Sequence, residues 1–242
     1  ADDVVEYPEC VRALVGATGV CYDFQIVDNL KKPKEQFTHL RLWPVGYGVE
    51  FQGACHEIPI APERLKRIAS GVRILHRGDQ HESVEPSTSR NLRILKRVVE
   101  NGDNGSRTLF YLANSYRDCR DWPNAVATYR KYFDVGGGWH DERIFAWLYL
   151  ARSLRFDGKF SEASTAALRG LSEDSRFSEL WMELCYTASN TQSPDMPHFA
   201  RLALREVPET RLFTELNKYT DQPWRMLAVW HENRGELNEA RE

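Results

Sequence analysis

The chain has 242 residues, 42% of them apolar and 28% charged, with a net charge of −3, which is ordinary for a globular protein and gives no bulk attraction for nucleic acid. No apolar run approaches the roughly 20 residues of a membrane span. Five scattered cysteines without a C-x-x-C pair, and no basic-then-apolar leader, exclude a disulfide framework and a zinc knuckle and point to the cytoplasm.

The chain begins at Ala1 rather than Met and stops at Glu242 within a helical pattern, so a fragment trimmed at both ends is expected. A short helical piece falls near residues 8–16. Period-two alternation then predicts strands at Tyr22-Asp23-Phe24-Gln25-Ile26-Val27 and Phe37-Thr38-His39-Leu40-Arg41-Leu42-Trp43. His39 lies on the face opposite Leu40 and Leu42 and reads as structural. After the turn-rich Pro44-Val45-Gly46-Tyr47-Gly48 comes a strand at 49–53, and Val72-Arg73-Ile74-Leu75-His76 forms another. Arg64-Leu65-Lys66-Arg67 reads as a solvated helix face. Some 86 residues with exposed sheet edges make a poor independent domain and look like half of a larger one.

From Ser87 onward the pattern is helical and repeats itself. Leu112-Ala113-x-x-Tyr116 is followed by Ala125 and Tyr129, and Leu150-Ala151-x-x-Leu154 by Ala163 and Ala167. Leu227-Ala228-x-Trp230 is followed by Ala240 in the same register. The step from Leu112 to Leu150 is 38 residues and that from Leu150 to Leu184 is 34, the tetratricopeptide period. The four extra residues are expected in Gly136-Gly137-Gly138-Trp139. Small alanines let paired helices approach closely, and larger apolar residues at i, i+3 and i+4 fill the groove between them. Asp121-Trp122-Pro123-Asn124, Asp157-Gly158-Lys159 and Arg234-Gly235-Glu236 supply the turns. A third unit, with Trp181, Leu184 and Ala188 on its first helix and a second helix over 197–206, fits less closely. Tyr116, Trp147 and Trp181 read as core, and Asn114 and Tyr111 as facing the concave side. The expected fold class is therefore α+β: a partial mixed sheet over residues 1–86, then an all-α tetratricopeptide-like solenoid over 87–242.

The first third resembles the carboxyl-terminal half of a family 2 glycosyltransferase domain of the GT-A fold, in the subgroup that carries tetratricopeptide repeats behind the transferase. The resemblance rests on Ala1-Asp2-Asp3, matching the end of the D-A-D form of the D-x-D motif, and on Phe37 to Trp43, matching F-x-H-x-R-L-W. It also rests on Gly53-Ala54-Cys55-His56-Glu57, matching G-x-x-H-E, and on Ile74-Leu75-His76 followed by Arg90-Asn91-Leu92-Arg93-Ile94-Leu95. The first Asp of the motif would precede Ala1, as would the nucleotide-binding half, so the fragment alone is expected to be inactive.

The resemblance implies an inverting transfer of a sugar from a nucleotide-sugar donor to a protein or glycan acceptor. A divalent ion, Mn²⁺ or Mg²⁺, would stabilise the departing diphosphate. On that reading Asp2 is a metal carboxylate and His76 a second ligand. Asp3, His56, Arg41 and Trp43 serve the donor and its phosphates or shape the acceptor side. Glu57 is the general base that takes the acceptor's proton. The competing expectation is a tetratricopeptide interaction module without catalytic activity, its repeats binding a protein partner.

Overall fold

The computed structural model describes residues 4–6, 8–28, 35–55, 57–76, 86–208 and 215–236. The chain divides into two compact units, residues 1–90 and 91–242.

The first unit is built on strands β1 (Val4–Glu6), β2 (Val20–Asp28), β3 (Glu35–Leu42), β4 (Glu50–Gln52), β5 (Ile58–Ile60) and β6 (Lys66–His76). Four of them form one sheet in the order β1-β6-β2-β3, while β4 and β5 pair as a separate antiparallel ribbon. β2 runs parallel to β6, with Val20 beside Lys66 and Asp28 beside His76, and antiparallel to β3, with Phe24 beside His39. The ladders slip at Tyr22/Asp23 and at Asp23/Gln25, as bulged strands do when they bend and twist. Cys21, Phe24, Ile26, Val27, Leu40, Leu65 and Val72 are buried. β6 begins inside the stretch that reads as a helix face in sequence, because Lys66 and Arg67 are the exposed positions of a strand.

The expectation of a partial GT-A sheet does not hold. A mixed sheet of that class buries itself under helices. Here α1 (Pro8–Leu14) is the one helix among the described residues preceding Pro86, it has seven residues, and none of them is buried. What stands instead is a small curled sheet beside a two-stranded ribbon, in a chain whose regular structure is mostly helical.

The second unit carries the repeats. α2 (Ser87–Glu100) precedes three helical hairpins: α3 (Ser106–Asp118) with α4 (Trp122–Val135), α5 (His140–Phe156) with α6 (Phe160–Glu173), and α7 (Ser178–Asn190) with α8 (Met196–Ala203). A short 3-10 turn (Leu216–Lys218) leads into α9 (Asp221–Asn233). The hairpins turn alike. α3, α5, α7 and α9 are each followed by a residue with left-handed backbone, Arg120, Gly158, Gln192 and Gly235. The next amide in each case reaches back to the helix, Asp121 to Tyr116 and Lys159 to Leu154 at 2.9 Å, Ser193 to Ala188 at 2.8 Å and Glu236 to His231 at 2.9 Å. That is the Schellman closure of a helix end. At α4 the Asp121 carboxylate then accepts from the Asn124 amide, with Pro123 in the first turn.

The extra four residues do not lengthen a loop. The segments 136–139 and 174–177 are equally long, but α5 has 17 residues where α3 and α7 have 13. The insertion is one additional helical turn, which leaves the apolar face in register because a turn takes about 3.6 residues.

Ala113, Ala125, Tyr129, Phe145, Ala151, Leu154, Ala163, Ala167 and Leu180 form one continuous core. At Gly170 a methyl group would lie 2.8 Å from Leu180 Cδ1 and 2.9 Å from Trp147 Cβ, so α6 meets its neighbours there too closely for a side chain.

The row is curved. α3 touches α5 and α5 touches α7 directly across one side. On the other side a cleft of about 380 Å³ opens between α4 and α6 over Trp147 and Leu150. A second, of about 340 Å³, opens beside α6 and α8 over Leu184 and Thr187. The side of α3, α5 and α7 is therefore the inner one.

Candidate functional site

The polar residues of the inner side converge on a single strip. Two guanidiniums approach the ring of Tyr149 of α5, that of Arg117 of α3 with its carbon 3.8 Å from the ring centroid and that of Arg152 at 6.0 Å, each drawn to the negative face of the ring. Arg117 is held from below by Asp118, whose Oδ1 accepts from its Nε at 3.1 Å and its Nη2 at 2.8 Å. Its Nη1 is buried without a hydrogen-bond partner.

One turn on, Glu183 of α7 takes Arg152 Nε on one oxygen at 2.7 Å and Arg155 Nε on the other at 2.8 Å. The Glu183 side chain is only 2% exposed. A buried carboxylate persists in such surroundings because it is paired on both oxygens. Burial works against the charge on Arg152, but Glu183 and Glu215 outweigh it and hold the guanidinium's pKa above its ordinary value. Burial likewise raises the Tyr149 hydroxyl, so it stays a neutral donor.

A piece of the same chain lies on this strip. Glu215 reaches Arg152 Nη2 at 2.8 Å. Its backbone amide donates to Glu179 Oε1 at 2.9 Å, and the Tyr219 hydroxyl donates to Glu179 Oε2 at 2.6 Å. Lys218 Nζ donates to the Tyr186 hydroxyl at 2.7 Å and sits 4.8 Å from that ring's centroid. Gln222 accepts from Tyr186 at 3.2 Å. Glu179 is fully buried, and burial raises its pKa despite the two hydrogen bonds it accepts.

The residues singled out in the first third are not brought together in this way. Asp2, Asp3 and His56 lie outside the described residues, as does the side chain of His76, whose backbone ends β6. Glu57 is exposed and belongs to the connection between β4 and β5, the ribbon separate from the sheet that carries β6. Arg41 is exposed near the end of β3. Trp43 is half-buried, packing on the Cys21–Leu40–Leu65 cluster with its ring centroid 5.9 Å from Phe51. Among the described residues no group of three or more His, Cys, Asp or Glu side chains is placed to hold a metal ion.

Asn114, read as facing the concave side, accepts from the Tyr129 hydroxyl at 2.5 Å and ties α3 to α4 instead. The residues that build the strip have a signal of their own. Arg117 and Arg155 are 38 apart, as are Leu112 and Leu150, so the repeat puts a guanidinium at one position twice. Tyr149, Arg152 and Arg155 then recur at i+3 along the second half of α5.

The second unit is a tetratricopeptide-like solenoid by its paired helices, shared turns and curved row. Two crystal structures of MamA have this fold. One aligns with a TM-score of 0.51 and 13% identity over 65% of this chain and 90% of its own. The other gives 0.52 and 14% over 63% and 76%. YrrB, described as a TPR protein with an unusual peptide-binding site, aligns over 63% of this chain and 72% of its own at 11% identity, with a TM-score of 0.46. No family model matches the chain, and no curated protein matches it.

The likeness to MamA overturns the expected glycosyltransferase fragment. The fold in common is a helical-repeat fold, and the matched structures are repeat proteins, not glycosyltransferases. Transferase activity, the GT-A assignment and a nucleotide-sugar donor have no support from it. Short motifs such as His56-Glu57 carry too little information to fix a fold, and their order along the chain did not compensate. Among the described residues no helix is long and apolar enough to cross a membrane.

Proposed function

We propose that the repeats form a non-catalytic interaction module whose inner face binds an extended segment of a partner protein. One observation carries the reading: the strip already holds a short stretch of polypeptide, residues 215–222, a 3-10 turn that runs into α9, through both main-chain and side-chain bonds. A carboxylate that captures a backbone amide serves any sequence, whereas a guanidinium and a phenol beside it select side chains. The curved row of α3, α5 and α7 presents these groups on rigid helices, which spares a ligand the cost of ordering them. The overall TPR-like fold is consistent with this use and does not itself specify it.

The test is selection from a displayed library of random peptides of about a dozen residues with the full-length chain. Arg117→Ala and Arg152→Ala are expected to weaken the selected peptides by about tenfold or more each, with the helical circular dichroism retained. Glu57→Gln should leave binding unchanged. Peptides that bind equally well to the inner-face variants, or that need residues 1–86 alone, would refute the proposal.

A further inference from the structure

Apolar side chains left singly in water are ordinary, but in the first unit they gather. Among the described residues the three most exposed large apolar side chains are Val45 at 98%, Val15 at 69% and Phe51 at 60%, and all three lie around Trp43. Val15 and Val45 border, with Trp43, an open apolar pocket of about 280 Å³ that Leu14, Val20 and Leu42 also line. The Phe51 ring centroid stands 5.9 Å from that of Trp43.

The topology explains the gathering. β2 is antiparallel to β3 and parallel to β6, with Tyr22 beside Leu42 and Val20 beside Lys66. The start of β2, the end of β3 and the start of β6 therefore meet at one end of the sheet. The connections at that end are tied to one another: the Lys66 amide donates to the Gly19 carbonyl at 2.9 Å, and Arg64 Nη2 donates to the Tyr47 carbonyl at 2.8 Å. Gly16 and Gly46, each next to one of the two valines, have left-handed backbone, so tight turns carry Val15 and Val45 outward.

The charge at this end is mostly of one sign. Residues 12–20, 41–48 and 61–66 hold four bases, Arg12, Arg41, Arg64 and Lys66, and one acid, Glu63. All five are exposed. Glu50, the neighbour of Phe51, adds a second acid, in a chain whose net charge is −3. We infer that this end of the first unit is a contact for an anionic lipid surface. Val15, Val45 and Phe51 enter the boundary between headgroups and acyl chains, and the four bases meet anionic headgroups around them. The inference is independent of the reading of the inner face of the repeats.

Lipid fits this end better than a folded partner does. Val45 touches almost nothing of its own chain, so a protein would need a surface shaped to a lone projecting side chain and acids placed to match the bases. A fluid leaflet closes around any apolar shape and offers anions on every side. Trp43 and Tyr47 suit the same boundary, because rings that carry a polar atom collect where hydrocarbon meets headgroups.

The experiment is flotation of the full chain with vesicles of phosphatidylcholine alone and with vesicles containing about a third phosphatidylserine. The chain is expected to float with the anionic vesicles, not with the neutral ones, and to be released by high salt. Val15→Asp/Val45→Asp changes two exposed positions and should weaken the binding by about tenfold or more. Lys66→Gln should weaken it about fivefold, and Val229→Asp, at an exposed apolar position of α9, should leave it unchanged. Brominated acyl chains should quench the tryptophan fluorescence of the unaltered chain, and Trp43→Phe should remove most of that quenching. Should the double variant lose its circular dichroism, this quenching comparison decides. Failure of the unaltered chain to float, flotation that the two aspartates leave intact, or quenching that survives Trp43→Phe overturns the inference. So does a dimer in sedimentation velocity that the aspartates dissolve while no vesicle is bound, since the patch would then serve a second copy of the chain.

Discussion

Replacing Glu183 with Gln keeps the size of a buried side chain and removes its charge, so the change isolates what that charge does. The carboxylate is 2% exposed and accepts from Arg152 and Arg155 at 2.7 and 2.8 Å, and the two arginine side chains are themselves only 20% and 12% exposed. Stranding a buried partner of an ion pair costs about 3–5 kcal/mol. Glu215 still faces Arg152, so the expected loss sits at the lower end, about 3 kcal/mol. For a unit of this size each kcal/mol moves the midpoint by about 2–4 °C, giving a fall of roughly 6–12 °C in thermal unfolding followed by far-UV circular dichroism. The internal control is Glu162→Gln, whose pair with Arg130 is half exposed on both sides. Exposed pairs are worth about 0–1 kcal/mol, so this variant should barely move. Adding Arg155→Met to Glu183→Gln should recover part of the loss by removing the stranded charge. If the two glutamine variants shift the transition equally, burial does not set the strength of these pairs and the energetic account of the strip is wrong.

Gly170→Ala should lower stability although alanine favours helices by about 1 kcal/mol, because the added methyl meets Trp147 Cβ at 2.9 Å and overpacking costs about 1–3 kcal/mol; a urea titration showing a higher midpoint would contradict the close-approach geometry. Stability should also depend on pH with opposite slopes on two sides of an optimum. Burial raises the pKa of Glu142 and Glu179 above 4.5, so the stability these groups contribute is complete below 4.5 and is lost as pH rises through their folded values. Hydrogen bonding to Arg143 lowers Glu173 from 4.5 and hydrogen bonding to Arg176 lowers Asp174 from 3.8, so their contribution is present above those values and lost as pH falls through the folded ones. Thermal midpoints should therefore rise as pH falls through the folded values of Glu142 and Glu179 towards 4.5, and drop again as pH falls through those of Glu173 and Asp174. Glu179→Gln should flatten the upper branch, and an unchanged upper branch in that variant would show that the buried carboxylate is not its source.

The helical hairpins were legible because the residues that make them act locally. An alanine at a helix crossing, a glycine or asparagine-like turn, and Leu or Tyr at i+3 and i+4 keep their meaning wherever the chain goes. The repeat of Leu112 at Leu150 and Leu184 follows from that. The extra turn of α5 was misplaced into a loop because Gly136-Gly137-Gly138 looks like the natural home for an insertion, whereas helical phase accepts four residues at no cost. The first unit was harder, since strand partners are set by contacts far along the chain. Pro59 hides the β5 strand, and the charges of Lys66 and Arg67 disguise the start of β6. The strip on the inner face was only partly legible for a related reason. Arg152 reads as a solvated helix charge until Glu183, 31 residues on, and Glu215 are seen opposite it. The dipeptide motifs that suggested a transferase are local too, but they mark chemistry only within a fold that supports it, and the fold here is another one.

Under tension, a row of hairpins that touch only their neighbours peels from an end, one hairpin at a time and at similar force. The stretch before α9 breaks that evenness. It grips α7 through Glu179 and Tyr186, and α5 through Arg152, so it is riveted to two hairpins at once. Stretched from its carboxyl end, the chain should yield first in one large step as that rivet shears, and only then in the regular sawtooth of the remaining hairpins.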